Sequence, residues 1–271
     1  MKPVAFDYVR PSTVNEAVGL LCDHADAKIL AGGQTLGPML NLRLAQPALL
    51  IDITRIAELA AVTEDADAIT IGATVTHAAI EDGRTPASTH GFLREVARGI
   101  GYRAVRTRGT IGGSLAHADP AADWLSCLTA LGSVVTIAGP KGTRQMQVAK
   151  FARGAMQTDL AADELVLAVR VPKLSPRARC GFHKICRKAG EFADAIGVVV
   201  EDPDKGYFCA VSGATAGQPL VMDMRVAPDR KALTLAEAQT LLKAARYGGD
   251  AYEMRLHAVA LQRAYQRAYA T

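Results

Sequence analysis

Two stretches of this sequence carry residue types able to hold a phosphorylated ligand. The first is Ala31-Gly-Gly-Gln-Thr-Leu-Gly37, where paired glycines precede an amide and a hydroxyl. The second is Arg106-Thr-Arg-Gly-Thr-Ile-Gly-Gly-Ser-Leu115, again a double glycine, flanked by hydroxyls and preceded by two arginines. Glycine lets the backbone turn tightly and approach a ligand with no Cβ in the way. Successive N–H groups in such a turn make an anion nest. Either stretch alone is equally a plain strand-to-helix turn. The pair suits a diphosphate, which takes donors from two sides.

Other candidate chemistry is weaker. Gly99-Ile-Gly101-Tyr-Arg-Ala104 fits a loose GxGxxA pattern, but that fingerprint must follow a strand and open a helix. Here the spacing has it closing a helix. No P-loop is present. His77 follows a strand, beside Thr76, and reads as structural at a helix start. His24, His90, His117 and His257 have no acidic or hydroxyl partners readable from the sequence, and no nucleophilic triad is visible. The five cysteines, Cys22, Cys127, Cys180, Cys186 and Cys209, are dispersed and never spaced as CxxC. Iron–sulfur and zinc sites need grouped thiolates, so neither is expected, and the thiols read as reduced and cytoplasmic.

The elements that must position these residues follow from capping and periodicity. Thr13-Val-Asn-Glu16 predicts a capping box opening a helix with Ala17, Leu20 and Leu21 on one face. Strands are expected at Lys28–Ala31 and Leu49–Ile53, giving a small β-α-β unit over about the first 55 residues. Further strands are predicted near Ala68–Ala73, Ser133–Ala138 and Leu165–Val171, with a helix through Leu93, Val96, Ala97 and Ile100. Asp119-Pro120 predicts an N-cap and N1 pair. Pro172-Lys-Leu-Ser-Pro176 reads as a linker. Beyond it, strands at Gly181–Cys186, Ile196–Val200 and Tyr207–Val211 suggest an antiparallel sheet. A second capping box, Thr234-Leu-Ala-Glu237, and an Ala- and Arg-rich helix from Tyr252 to Ala268 follow.

Composition sets the outer bounds. The chain has 271 residues, 49% hydrophobic and 21% charged, enough for two or three modest cores. Net charge is +4. Basic clusters at Arg94–Arg108 and Lys173–Lys188 read as a solvated face or as a patch receiving a phosphate-bearing cofactor. With one Trp and six Phe, there is no aromatic platform for nucleic-acid bases. The N-terminal MKPVAFDYVRPS has no apolar run like a signal peptide, and no stretch has the apolar length of a membrane span.

Both glycine segments resemble the flavin-diphosphate loops of the FAD subunit of molybdenum hydroxylases, the xanthine and carbon monoxide dehydrogenase family. The family's loops read roughly AGGxSL and RNxGTIGGN. The resemblance extends to Phe6-Asp-Tyr-Val-Arg-Pro-Ser-Thr, Asp52-Ile53, Ile71-Gly72-Ala73, Thr76-His77 and Phe182-His-Lys-Ile-Cys-Arg-Lys-Ala-Gly-Glu-Phe-Ala193. It implies an α+β fold. An FAD-binding domain of the vanillyl-alcohol-oxidase (PCMH) type would span 1–172, in subdomains of about 1–55 and 56–172. A small sheet-plus-helix domain would follow over 177–271.

The resemblance also implies roles. Leu30, Ala31, Gly32, Gly33, Gln34, Thr35 and Leu36 would wrap one side of the pyrophosphate and ribose. Thr110, Ile111, Gly112, Gly113 and Ser114 would supply the other. Asp123 matches an acidic residue that hydrogen-bonds the cofactor. Lys184, with His183 as rival, matches a lysine approaching the flavin. Phe192 sits where the family places a side chain on the isoalloxazine, and Val166 where the backbone meets the adenine side. Gln34, Thr107 and Ser114 depart from the usual His or Asn. They keep hydrogen-bonding groups, though Thr107 and Ser114 lose the longer amide reach. The implied function is electron transfer through FAD. A large subunit would carry molybdopterin and a small one two 2Fe-2S clusters, in a cytoplasmic dimer of heterotrimers. A self-sufficient FAD oxidase and a non-enzymatic nucleotide-binding module are the alternatives. The substrate at molybdenum and the terminal acceptor are not encoded here.

Overall fold

The computed structural model describes residues 1–223 and 232–270. Three strands, β1 (Asp7–Val9), β2 (Ala27–Leu30) and β3 (Leu49–Asp52), form a parallel sheet in the order β1-β3-β2. Helix α1 (Val14–Asp23) crosses from β1 to β2, and α2 (Leu36–Asn41) lies between β2 and β3. Thr13 caps α1 by accepting from Glu16 N, but the Glu16 carboxylate returns to Ser12 N and Oγ, not to Thr13. The expected box is therefore half formed and displaced by one residue. β1 went unpredicted because three half-exposed residues carry little periodic signal.

A second, antiparallel sheet runs β4-β5-β10-β6-β7. Its strands are β4 (Val62–Glu64), β5 (Ala68–Gly72), β6 (Val134–Gly139), β7 (Gly142–Gln147) and β10 (Leu165–Pro172); β8 (Ala152–Gly154) and β9 (Gln157–Thr158) form a ribbon. Between β5 and β6 come α3 (His77–Glu81), α4 (Phe92–Arg98), α5 (Arg103–Arg106), α6 (Ile111–His117) and α7 (Asp123–Ala130); α8 (Val148–Phe151) follows β7. Gly99 caps the end of α4, so the GxGxxA match does close a helix. Asp119-Pro120 does not open one. Asp119 Oδ1 accepts from Ala121 N within a tight turn, and α7 starts at Asp123 after an uncapped Ala122.

The third sheet is antiparallel, β11 (Arg179–Ile185), β12 (Ala195–Asp202), β13 (Tyr207–Gly213) and β14 (Leu220–Val221) in that order. Helices α9 (Leu235–Ala244) and α10 (Ala251–Tyr269) belong to the same region, and Thr234 and Glu237 form the full capping box. A Cβ on Gly181 would lie 1.9 Å from Ala264 O, and one on Gly197 2.3 Å from Ala260 O. The missing side chains let α10 lie directly on β11 and β12. The Pro172–Pro176 stretch is pinned, not a free linker: Lys173 N donates to Asp67 O, Leu174 N to Ser88 O, and Ser175 N and Oγ to Asp202. One apolar core joins the first two sheets to the inner face of the third, through Phe182, Ile196, Val198 and Val211.

Candidate functional site

The first glycine turn leaves β2 at the carboxyl edge of the parallel sheet, where open sheets of this kind place ligands. Leu30 is tied to the neighbouring strand by Ile53 N donating to its carbonyl at 3.0 Å. Gly33 then takes φ +71°, a left-handed conformation suited to glycine. The N–H groups of Gly32, Gly33, Gln34, Thr35 and Leu36 meet no acceptor among the described residues, and Gln34 Nε2 folds back on Gly32 O at 3.3 Å. A run of outward donors ending at a helix start is a receptor for an anion.

The second turn lies directly against the first. A Cβ on Gly32 would sit 2.1 Å from Arg108 O and 2.8 Å from Gly109 Cα, while Gly113 looks onto the Ala31 methyl. Here the expected donors are used internally. Ile111 N donates to Val75 O, Gly112 N to Ala73 O, Gly113 N to Thr110 Oγ1 and Ser114 N to Thr110 O. The glycines of this turn permit close packing: a Cβ on Gly112 would be 2.4 Å from Ala73 Cβ. The backbone N–H groups of Ile111–Ser114 are thus committed within the protein, while the Thr110 and Ser114 hydroxyls keep the capacity to donate. Nor is Arg106 a free cation for phosphate. Its guanidinium grips Glu81 at 2.7 and 3.2 Å and donates to Ile100 O and Gly101 O at 3.1 and 2.8 Å.

His77 joins this turn to α7. Its ring packs where a Cβ on Gly109 would be 2.9 Å away, and its Nδ1 accepts from Trp124 Nε1 at 3.0 Å. Burial, reinforced by Arg106, pushes its pKa down to about 4, which favours the neutral ring. Next to Trp124, Asp123 is buried. Its Oδ2 pairs with Lys184 Nζ at 3.1 Å, while its Oδ1 has no partner. Burial raises the Asp123 pKa to about 6, with Lys184 pulling the other way. An orphaned carboxylate oxygen beside a cation calls for a ligand donor.

Lys184 also donates to Gly99 O at 3.3 Å, whereas His183 turns toward α10 and Arg263 at 3.3 Å. Burial and the flanking Arg267 and Arg263 lower the His183 pKa to about 4. Of the two rivals, Lys184 is therefore the one aimed at Asp123. Val166 is buried in β10 at a bulge, and the next residue's carbonyl, Leu167 O, accepts from Ala73 N behind Gly112. Phe192 is 65% exposed on the loop between β11 and β12. An open groove of about 570 Å³ runs beside Lys184, lined by Arg98, Gly101, Tyr102, Gly190 and Arg267 among others. His257 does have a hydroxyl partner, Ser212 Oγ at 2.8 Å, which sequence distance concealed. Both are buried within the third sheet and α10, so the pair is packing.

Unpaired backbone donors at a sheet edge, a glycine turn packed against them and an orphaned carboxylate oxygen beside Lys184 suit a phosphorylated cofactor. Residues 4–174 match the family model described as the FAD-binding domain in molybdopterin dehydrogenase, and the chain belongs to that family. It is 39% identical over 195 residues to the caffeine dehydrogenase subunit beta of Pseudomonas sp. (strain CBB1), covering 71% of this chain and 66% of that one. It is 33% identical over 284 residues to the carbon monoxide dehydrogenase medium chain of Afipia carboxidovorans, covering 100% and 99%. Among solved structures it is similar to carbon monoxide dehydrogenase from Hydrogenophaga pseudoflava, with TM-score 0.90, 32% identity and 99% of both chains covered. It is likewise similar to quinoline 2-oxidoreductase from Pseudomonas putida 86, with TM-score 0.88, 30% identity and 99% and 98% coverage. The chain is accordingly an oxidoreductase component with FAD as its cofactor.

Proposed function

We propose that this chain is the medium, FAD-bearing subunit of a heterotrimeric molybdenum hydroxylase, relaying electrons from a small 2Fe-2S subunit to an external acceptor. A large molybdopterin subunit would oxidise the organic substrate, in a cytoplasmic dimer of heterotrimers. Among the described residues no helix is long and apolar enough to cross a membrane. The observation that carries the cofactor reading is the run of N–H groups from Gly32 to Leu36 without an acceptor among the described residues, in a turn packed against the Arg108–Gly113 turn.

Bound FAD supplies exchange between single electrons and electron pairs. The chain's own residues bind and orient it. Leu30–Leu36 would take the pyrophosphate, with Thr110–Ser114 opposite and Val166 toward the adenine. Asp123 Oδ1 would accept from the ring end, Lys184 would hold Asp123 in place, and Phe192 would cover a ring face. Division into 1–172 and 177–271 accords with β10 ending at Pro172 and the third sheet starting at Arg179.

The test is a purified chain, examined by visible absorbance and then mixed anaerobically with candidate substrates. The chain should be yellow, bleached by dithionite, and untouched by organic substrate until both partner subunits are added. Rapid bleaching by a substrate with no partner present would instead establish a self-sufficient oxidase. A colourless chain that takes up no FAD would refute the cofactor assignment.

A further inference from the structure

The turn Gly99–Gly101, whose sequence matches a loose nucleotide fingerprint, borders the groove beside Lys184. Its three consecutive carbonyls are all held by cations. Gly99 O accepts from Lys184 Nζ at 3.3 Å; Ile100 O and Gly101 O accept from Arg106 Nη1 at 3.1 and 2.8 Å. The rest of the Arg106 guanidinium is locked by Glu81 at the end of α3, and its side chain is only 11% exposed. Arg106 stands three residues before Gly109, on the helix that leads into the second glycine turn. On the far side, Gly190, with φ +87°, rests on the same turn: a Cβ there would be 2.9 Å from Gly101 O. Gly190 lies in the same loop as Phe192, between β11 and β12. One side chain therefore fixes the spacing between the second glycine turn, the Lys184–Asp123 pair and the Phe192 loop.

We propose that Arg106 is a positioning residue for the ring end of the bound cofactor, acting through the carbonyls of Ile100 and Gly101. The proposal rests on the FAD reading above. Without those two bonds the turn keeps its backbone bonds to Val96 O and Ala97 O and the Lys184 contact at Gly99, but the carbonyl on which Gly190 rests is no longer held. A planar guanidinium spreads five N–H donors in a rigid fork, here over one carboxylate and two carbonyls; an ammonium is a point charge with three donors on a flexible stem and matches that spread less well. Arg106→Lys thus keeps the Glu81 ion pair while releasing the turn. Glu81→Gln does the converse, leaving both carbonyl bonds in place.

The experiment compares FAD dissociation constants, visible circular dichroism of the FAD-saturated protein and apoprotein melting for the wild type and both variants. Wild-type protein that fails to bind FAD would refute the cofactor reading itself. With binding established, Arg106→Lys is expected to melt close to wild type yet bind FAD roughly tenfold more weakly, as a loosened supporting shell does. Its saturated flavin dichroism should move toward that of free FAD. Glu81→Gln should retain the wild-type dichroism even where it lowers the melting temperature. Wild-type affinity and dichroism in Arg106→Lys would overturn the proposal. So would weaker binding with unchanged dichroism at saturation, since that is mere destabilisation. If Arg106→Lys does not fold, a changed dichroism in Glu81→Gln overturns it, because the carbonyl bonds are intact there.

Discussion

A methyl group at Gly32 would be driven 2.1 Å from the Arg108 carbonyl, a backbone atom that cannot rotate away. Gly32→Ala must therefore separate the two turns, and purified variant protein is expected to carry no FAD while keeping native far-ultraviolet dichroism. Normal flavin content would show that the turns need not touch. Asp123 offers a test by pH. Burial lifts its pKa from 3.8 to about 6, so between those values the folded protein binds more protons than the unfolded one. Stability from this group is complete below pH 4, falls as pH rises through 6, and is then constant. The fall is about 3 kcal/mol at about 1.4 kcal/mol per pKa unit. Asp123→Asn should abolish that decline in apoprotein urea titrations between pH 4 and 7, although it leaves Lys184 without its carboxylate. A parallel decline in the variant would assign the effect to other groups. At this scale the glycine pairs were legible because each stands beside hydroxyl residues in a stretch readable as a strand-to-helix turn. The partners of Arg106 and Lys184 were not. Glu81, Gly99 and Asp123 lie on elements distant in sequence, and the carbonyls of Ile100 and Gly101, though near Arg106, carry no side-chain signal; only the fold shows that the arginine is engaged and one carboxylate oxygen is bare.

Among the elements, α10 shows how strictly the third sheet is built. Gly181 and Gly197 sit under Ala264 and Ala260, with backbone touching backbone. Gly197→Ala is expected to lift the helix from β12 and cost about 1–3 kcal/mol, the usual range for overpacking. The fall in urea midpoint measures it; an unchanged midpoint would mean that α10 is not seated so closely. The helix itself, running Ala251–Tyr269, was readable from its composition, as was the Thr234–Glu237 box. The short strands β1, β4 and β7–β9 were not, since each draws its stability from sheet partners and not from its own pattern. Asp119-Pro120 misled for a related reason: an Asp side chain can close a turn as readily as cap a helix.

Taken as a whole, the molecule carries the proposed anion nest after β2 and, between β11 and β12, the proposed ring-side loop with Phe192 exposed. The loop between β11 and β12 is anchored where Asp194 N donates to Ile185 O at 2.8 Å and where Gly190 rests on Gly101. Between these points the charges are exposed. Arg187 and Lys188 pair with Glu191 at 3.5 and 3.4 Å, geometry worth little in water. Phe192 leaves 65% of its surface uncovered. An apolar ring in solvent costs free energy that a covering aromatic system recovers, and the proposed flavin position offers one. Phe192→Ala should then alter the flavin absorbance bands with little loss of FAD content, because the diphosphate anchor lies on other elements. Amide exchange over 187–192 should be fast in the apoprotein and slow by roughly tenfold on FAD binding, a change of about 1.4 kcal/mol in opening free energy. Electron transfer needs short distances, so this same loop is the expected approach for the 2Fe-2S subunit. A further slowing when that subunit is added would place the junction at Phe192. Exchange that responds to the partner but not to FAD would assign the loop to subunit contact alone, and leave Phe192 off the isoalloxazine.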